Sequence, residues 1–271
     1  MNRYADDLSL THILADAADS ISMARFRALD LHVEAKPDLT PVSDADTTVE
    51  KAVRATLARS RPRDAVTGEE FGAGNASANG RRWVIDPIDG TKNFIRGVPI
   101  WATLIALLDG DEPVVGMVSA PALGRRWWAG KDLGAYAGRH PAGAQTLKVS
   151  GVSQLADASF CYASLPAWEA DGRLPAMLDL MRDSWRSRAY GDFYGHMLVA
   201  EGAVDVMVEP ELSMWDLAAL IPIVTEAGGA FTNLAGGSAA GGGSAVATNG
   251  RLHAEILDRL STRERTWSEL T

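Results

Sequence analysis

Asp86-Pro87-Ile88-Asp89-Gly90-Thr91 holds the densest chemistry in the chain. It follows a short apolar run, Trp83-Val84-Ile85, that reads as the end of a buried strand. Proline fixes one backbone angle between the two acids, and glycine lets the backbone approach a ligand. Two carboxylates with the Ile88 carbonyl between them make a hard-cation site, and the Thr91 hydroxyl can orient a water. The plain alternative is an Asx-rich turn, since aspartate, proline and glycine are common turn residues. An aspartyl-phosphate nucleophile would need two aspartates one residue apart, whereas Pro87 and Ile88 both intervene here.

Other acids stand at element ends. Asp46 falls at the start of a predicted helix, where Thr47 and Glu50 fit a capping box and Val49, Val53 and Leu57 supply a buried face. There it is either a helix cap or a carboxylate aimed at a site. Glu69 and Glu70 follow a short strand, Ala65-Val66-Thr67, and solvated surface charge would also explain them. Asp216 comes early in a predicted helix, Met214 to Ala227. Several carboxylates sharing one pocket repel by about 4 kcal/mol per pair at ~4 Å and an effective dielectric near 20, so they need cations or raised pKa values. With histidine and cysteine scarce, oxygen-loving Mg²⁺ fits better than Zn²⁺.

The elements that must hold these acids are readable in outline. The 271 residues, 46% hydrophobic and 23% charged, suffice for one large core or two packed halves. Leu10, Leu14, Ala17, Ile21, Ala24 and Ala28 predict one amphipathic helix over the first thirty residues. Thr40-Pro41 predicts an extended loop, and the Gly/Ala/Asn/Ser-rich 72–80 a mobile one. Trp101 to Leu108 and Val114 to Ser119 form a predicted hairpin, continued by 126–129 and 134–137. The boundary between halves, 1–150 and 151–271, is placed after the aperiodic stretch Gly138 to Gln145. Beyond it, helices at 174–181, 193–201, 214–227 and 251–260 alternate with strands at 185–188, 204–208, 229–232 and 245–248, so a sheet covered by helices is expected. Ala235 to Ser244 reads as a flexible loop, and His196 as a packed or solvated residue of its helix.

A formal net charge of -9 and the absence of a basic run argue against nucleic acid as partner. Neither a signal-like N-terminus nor an apolar run near the ~18 residues of a membrane span is evident, so no membrane association and a cytoplasmic location are expected. The single cysteine, Cys161, excludes an internal disulfide framework.

Gly68-Glu69-Glu70, then Asp86 to Thr91, then Trp215-Asp216 followed by Glu226-Ala227-Gly228-Gly229 resembles the inositol monophosphatase superfamily of Mg²⁺-dependent phosphatases, motif after motif in family order. The resemblance implies a mixed α/β, layered αβαβα sandwich, usually a homodimer. It implies Glu69, Asp86, the Ile88 carbonyl, Asp89 and Asp216 as metal ligands, with Glu70 a further acid beside them. Gly90 and Thr91 would bind phosphate through backbone amides, while Asp46 pairs with Thr91 to activate a water that attacks directly. Gly191, Asp192 and Glu209 would face the rest of a small phosphate ester. Gly97 to Leu104 and Tyr190 to Phe193 resemble the bacterial histidinol-phosphate phosphatase branch, and acids at 192 and 209 would suit a cationic amine. Alternatively Asp192 only caps its helix. An inositol monophosphatase or broad monoesterase is the nearest enzymatic alternative, and an idle metabolite-binding regulator the alternative of another class.

Overall fold

Residues 2–37, 39–74 and 76–261 are described by the computed structural model of the chain. In order they form α1 (Ala5–Arg25), β1 (Val33–Ala35), β2 (Pro41–Ser43), α2 (Asp44–Ser60), β3 (Ala65–Gly68), β4 (Gly72–Ala73), β5 (Arg81–Asp89), α3 (Thr91–Ile95), β6 (Ala102–Asp109), β7 (Glu112–Ala120), β8 (Arg125–Gly130), β9 (Gly134–Gly138) and β10 (Gln145–Thr146). Then come β11 (Ser159–Tyr162), α4 (Leu165–Asp171), α5 (Leu174–Asp183), β12 (Arg186–Arg188), α6 (Asp192–Ala200), β13 (Val206–Leu212), α7 (Met214–Leu217), α8 (Leu220–Glu226), β14 (Ala230–Thr232), β15 (Gly243–Thr248) and α9 (His253–Ser261).

Period-two alternation sorts the apolar residues of these strands onto two faces. Trp83, Ile85, Ile105, Leu107, Val115 and Met117 pack under α1 and α2 with Leu14, Val49 and Val53. Their neighbours Val84, Leu104, Ala106 and Val118 point the other way and meet Phe193, Met197, Leu217 and Ile223. The second sheet divides likewise: Cys161, Met207 and Ala247 join that middle core, while Phe160, Val206, Val208 and Val246 face Trp168, Leu180 and Ile256. Both sheets are therefore buried on two sides, which is why their strands read as nearly continuous apolar runs. The layers run α1/α2, eight-stranded sheet, α6/α8, five-stranded sheet, α4/α5/α9. This is the αβαβα sandwich expected.

The eight-stranded sheet has the order β10-β9-β8-β7-β6-β5-β3-β4, antiparallel except where β3 runs parallel to β5. The five-stranded sheet, β12-β11-β13-β15-β14, is parallel across β12-β11-β13 and antiparallel beyond. β5 pairs Asp86 with Leu104 but Asp89 with Ala102, three steps on one strand against two on the other. That bulge matters, because residues three apart on a regular strand face opposite sides and the extra residue turns Asp89 back toward the side of Asp86.

Several expectations need correction. α1 stops at Arg25, whose guanidinium bonds Asp30 and Asp44 and so anchors the turn that follows; its buried stripe runs through Leu10, Leu14, Ala15 and Ala18, leaving Ala24 exposed. α2 begins at Asp44, and its capping box joins Ser43 to Asp46 rather than Thr47 to Glu50. Residues around Thr40-Pro41 are one side of a ribbon, β1 with β2, instead of a plain loop. The 72–80 segment starts as β4, paired to β3, and Asn75 lies outside the described residues. The helix expected over 214–227 is two helices, because Pro222 has no N–H to give the Ala218 carbonyl. The glycine-rich 235–244 stretch is tied by Asn233, which bonds the amides of Ala235 and Gly237 and the carbonyl of Ser238, and it buries Ala239 and Ala240. β11 and α4 carry too little periodicity to be foreseen.

Candidate active site

The β5 bulge and the start of α7 bring Asp86, Asp89 and Asp216 together, with one carboxylate oxygen of each within 4.8 Å of the others. Asp86 is buried, and its Oδ1 has no hydrogen-bond partner among the described residues. Asp89 Oδ2 accepts from the amide of Phe193 at 2.7 Å, and Asp216 Oδ2 from the amide of Ser213 at 2.7 Å. Asp46 is built the same way: its Oδ2 accepts from the Ser43 amide at 2.8 Å, while Oδ1 lies 3.4 Å from Thr91 Oγ1. Cap and site carboxylate are thus not rival roles. One oxygen anchors each of Asp46, Asp89 and Asp216 at a helix start, which leaves the other free for chemistry.

Thr91 Oγ1 donates to the Ile88 carbonyl at 3.0 Å, so its single proton chooses between that carbonyl and Asp46. Gly90 sits in the left-handed region, φ 82°, and a Cβ there would stand 3.1 Å from the Ile100 carbonyl and 3.4 Å from Asp192 Oδ2. The left-handed backbone favours glycine, and the tight approach of the Ile100 carbonyl adds to that preference.

Glu69 and Glu70 share the Lys36 ammonium, at 2.6 and 2.7 Å. Lys36 comes from the turn of the β1-β2 ribbon and was not distinguishable in the sequence from any surface lysine. Behind them, the buried Glu50 carboxylate accepts from the Glu70 amide at 2.8 Å and the Phe71 amide at 3.3 Å, and pairs with Arg54 at 2.6 Å. Expected only as part of a capping box, it instead fixes the turn that presents both glutamates.

Burial and the charge of neighbouring carboxylates push Asp46, Glu70, Asp86, Asp89 and Asp216 toward their protonated forms. Burial is the largest cause for Asp86, followed by the charge of Glu69, Asp89 and Asp216, and its pKa lies well above the carboxylate range. Asp89 is displaced in the same direction by burial, Asp192 and Asp216. Burial raises Asp216 to about 6, and Glu70 to about 7 against the opposing pull of Lys36. Asp46 is raised too, by burial first. An all-oxygen set with an unpartnered buried atom and no histidine or cysteine fits Mg²⁺.

On the other wall, Gly191 stands before α6 at φ 69°, and Asp192 itself is left-handed at φ 48°, a conformation uncommon for a side-chain-bearing residue. Asn93 Nδ2 donates to Asp192 Oδ2 at 3.2 Å. The Phe193 amide belongs to Asp89, so the reading of Asp192 as the cap of α6 does not hold. Glu209, at a second bulge, in β13, is buried, with Oε1 3.0 Å from His196 Nε2. That contact was missed in the sequence, where His196 had no visible partner.

An αβαβα sandwich with carboxylates gathered at the ends of its middle layers is the architecture of a phosphoric monoester hydrolase. The chain belongs to the inositol monophosphatase family, whose model matches residues 8–265. It is 61% identical over 267 residues to a histidinol-phosphatase of Streptomyces coelicolor, covering 97% of this chain and 100% of that one. A histidinol-phosphatase of Mycobacterium tuberculosis is 56% identical, covering 94% and 98%. Among solved structures, an inositol monophosphatase from Zymomonas mobilis superposes with a TM-score of 0.84 at 32% identity, covering 97% of this chain and 100% of that one. Among the described residues, no helix is long and apolar enough to cross a membrane.

Proposed function

We propose that the chain hydrolyses L-histidinol phosphate to L-histidinol and inorganic phosphate, with Mg²⁺ as cofactor. The observation that carries the substrate is Asp192, held by Asn93 beside Gly90 with its helix-cap role already taken by Asp89. An acid in that place suits the ammonium or imidazole of histidinol, and the relatives named histidinol-phosphatase support it.

Glu69, Asp86, the Ile88 carbonyl, Asp89 and Asp216 would hold the ion. When bound, Mg²⁺ would neutralise the phosphate oxygens, acidify water and steady the leaving oxygen. Gly90 and Thr91 would receive the phosphate on their amides. A water oxygen forms the new bond to phosphorus as the ester P–O bond breaks; its proton passes to Thr91 Oγ1, which gives its own to Asp46 Oδ1, and the departing oxygen is protonated by solvent. The raised pKa of Asp46 favours that uptake. A cytoplasmic homodimer completes the reading, with oligomeric state open to sedimentation.

Phosphate release with Mg²⁺ from L-histidinol phosphate, inositol 1-phosphate and β-glycerophosphate tests the proposal. The highest kcat/KM is expected for histidinol phosphate. A preference for inositol 1-phosphate would overturn the substrate, and no release from any ester would overturn the hydrolytic reading altogether.

A further inference from the structure

His196 is fully buried, and the hydrolytic scheme leaves it unused. It lies on α6, four residues after Asp192. Its ring stacks on Phe231, centroids 5.2 Å apart and 25° between planes, and Nε2 is 3.0 Å from Glu209 Oε1. Burial lowers the ring's pKa to about 3, so the imidazole is neutral and carries one N–H. Nδ1 has no partner. A proton on Nδ1 would bury a bare donor and turn a lone pair toward the carboxylate; a proton on Nε2 satisfies the donor. Against an ionised Glu209, Nε2–H therefore donates to Oε1. Glu209 Oε2 has no protein partner among the described residues, and the side chain keeps 7% of its surface accessible. Burial first, and then the charges of Asp192, Asp89 and Asp216, raise the pKa of Glu209 well above its usual value, and those three charges place it within the field of the site.

We infer that His196 is a positioning residue for substrate recognition: by occupying Oε1 it holds Glu209 so that Oε2, together with Asp192, receives the cationic end of an amino-alcohol phosphate. The inference rests on the proposed function and adds to it the residue that sets the second acid. A floppy Glu209 would offer the same charge without the geometry, and a charge-assisted hydrogen bond depends on both.

The test compares His196→Phe, His196→Gln and His196→Asn with the parent, measuring KM and kcat on L-histidinol phosphate and β-glycerophosphate, with circular dichroism to establish folding. The Gln amide reaches the position of Nε2, whereas the Asn amide is too short. In Phe, the ratio of the two KM values should shift about tenfold against histidinol phosphate, with most of the change in KM; Gln should restore it. If Phe does not fold, the same shift is expected in Asn and not in Gln. A parent that prefers histidinol phosphate with a ratio unmoved by any variant, or moved equally by Gln, would overturn the inference alone. A parent without that preference would overturn the functional reading and this inference with it.

Discussion

Asp89, an acid of the eight-stranded sheet, accepts a 2.7 Å hydrogen bond from the Phe193 amide and so closes the first turn of a helix that packs against the five-stranded sheet. Its charge and its shape can be separated by substitution. Asp89→Asn keeps an acceptor for Phe193 and loses the charge, so kcat should fall roughly 10³-fold while the metal-free protein becomes no less stable, because repulsion with Asp86 and Asp216 is relieved. Asp89→Ala loses the cap as well and should cost about 1 kcal/mol more in urea unfolding. Parent-like turnover in the Asn variant would remove Asp89 from the cation site.

Asp192 should govern choice among esters more than the rate of hydrolysis. Asp192→Asn preserves a partner for Asn93 and tolerates the left-handed backbone, so folding should be unaffected. The expected result is a roughly tenfold loss of kcat/KM on histidinol phosphate with a smaller change on β-glycerophosphate. Equal losses on both esters would mean that the acid does not face the amine.

Without Mg²⁺ stability should fall as pH rises, and the stabilisation gained from Mg²⁺ should grow over the same range. Asp216 and Glu70 have folded pKa values raised to about 6 and about 7, above their ordinary values. A raised carboxyl binds its proton more tightly in the folded state, so its contribution is present at low pH and is lost as pH rises through the folded value. The metal-free protein should therefore lose Tm between about pH 4 and pH 7. Added Mg²⁺ should raise Tm more at pH 8 than at pH 5, since the ion competes with protons for the same oxygens. Calorimetric scans in EDTA and in Mg²⁺ check this, and an ion-induced shift independent of pH would contradict it.

Gly68 is the last residue of β3, directly before Glu69, and a Cβ there would collide with Glu50 Oε1. That carboxylate is buried and already committed to two amides and Arg54. Gly68→Ala should cost about 1–3 kcal/mol and raise the Mg²⁺ concentration needed for half-maximal activity, because the turn carrying Glu69 must shift. Denaturant titration and an Mg²⁺ dependence of turnover measure the two effects.

The acids themselves were legible because each sits in a local signature: an Asp-Pro-Ile-Asp-Gly-Thr break after an apolar run, paired glutamates after a strand, an aspartate early in a helix. Alternating strands and periodic helices likewise announced most of the layers. What joins them was not legible. The bulge that turns Asp89 toward Asp86 is a mismatch of register between β5 and β6, visible only when both strands are in place. Lys36 reaches Glu69 from thirty-three residues away, Glu50 reaches the Glu70 amide from twenty, and His196 meets Glu209 across a helix and a strand. Ser43 displaced Thr47 as the cap because the β1-β2 ribbon delivers its backbone there, a constraint that no window around Thr47 contains.

The chain position of Asp216 has a consequence for synthesis. Asp216 follows Asp89 by more than a hundred residues, and α6, whose first turn Asp89 closes, also emerges late. A nascent chain on the ribosome thus holds Asp86 and Asp89 before either the third carboxylate or the Phe193 amide exists. Until then the two acids have a mutual repulsion and no complete cradle for an ion, so a truncated translation product would bind divalent cations poorly and leave cellular phosphate esters untouched. Competence therefore waits for the second half of the chain.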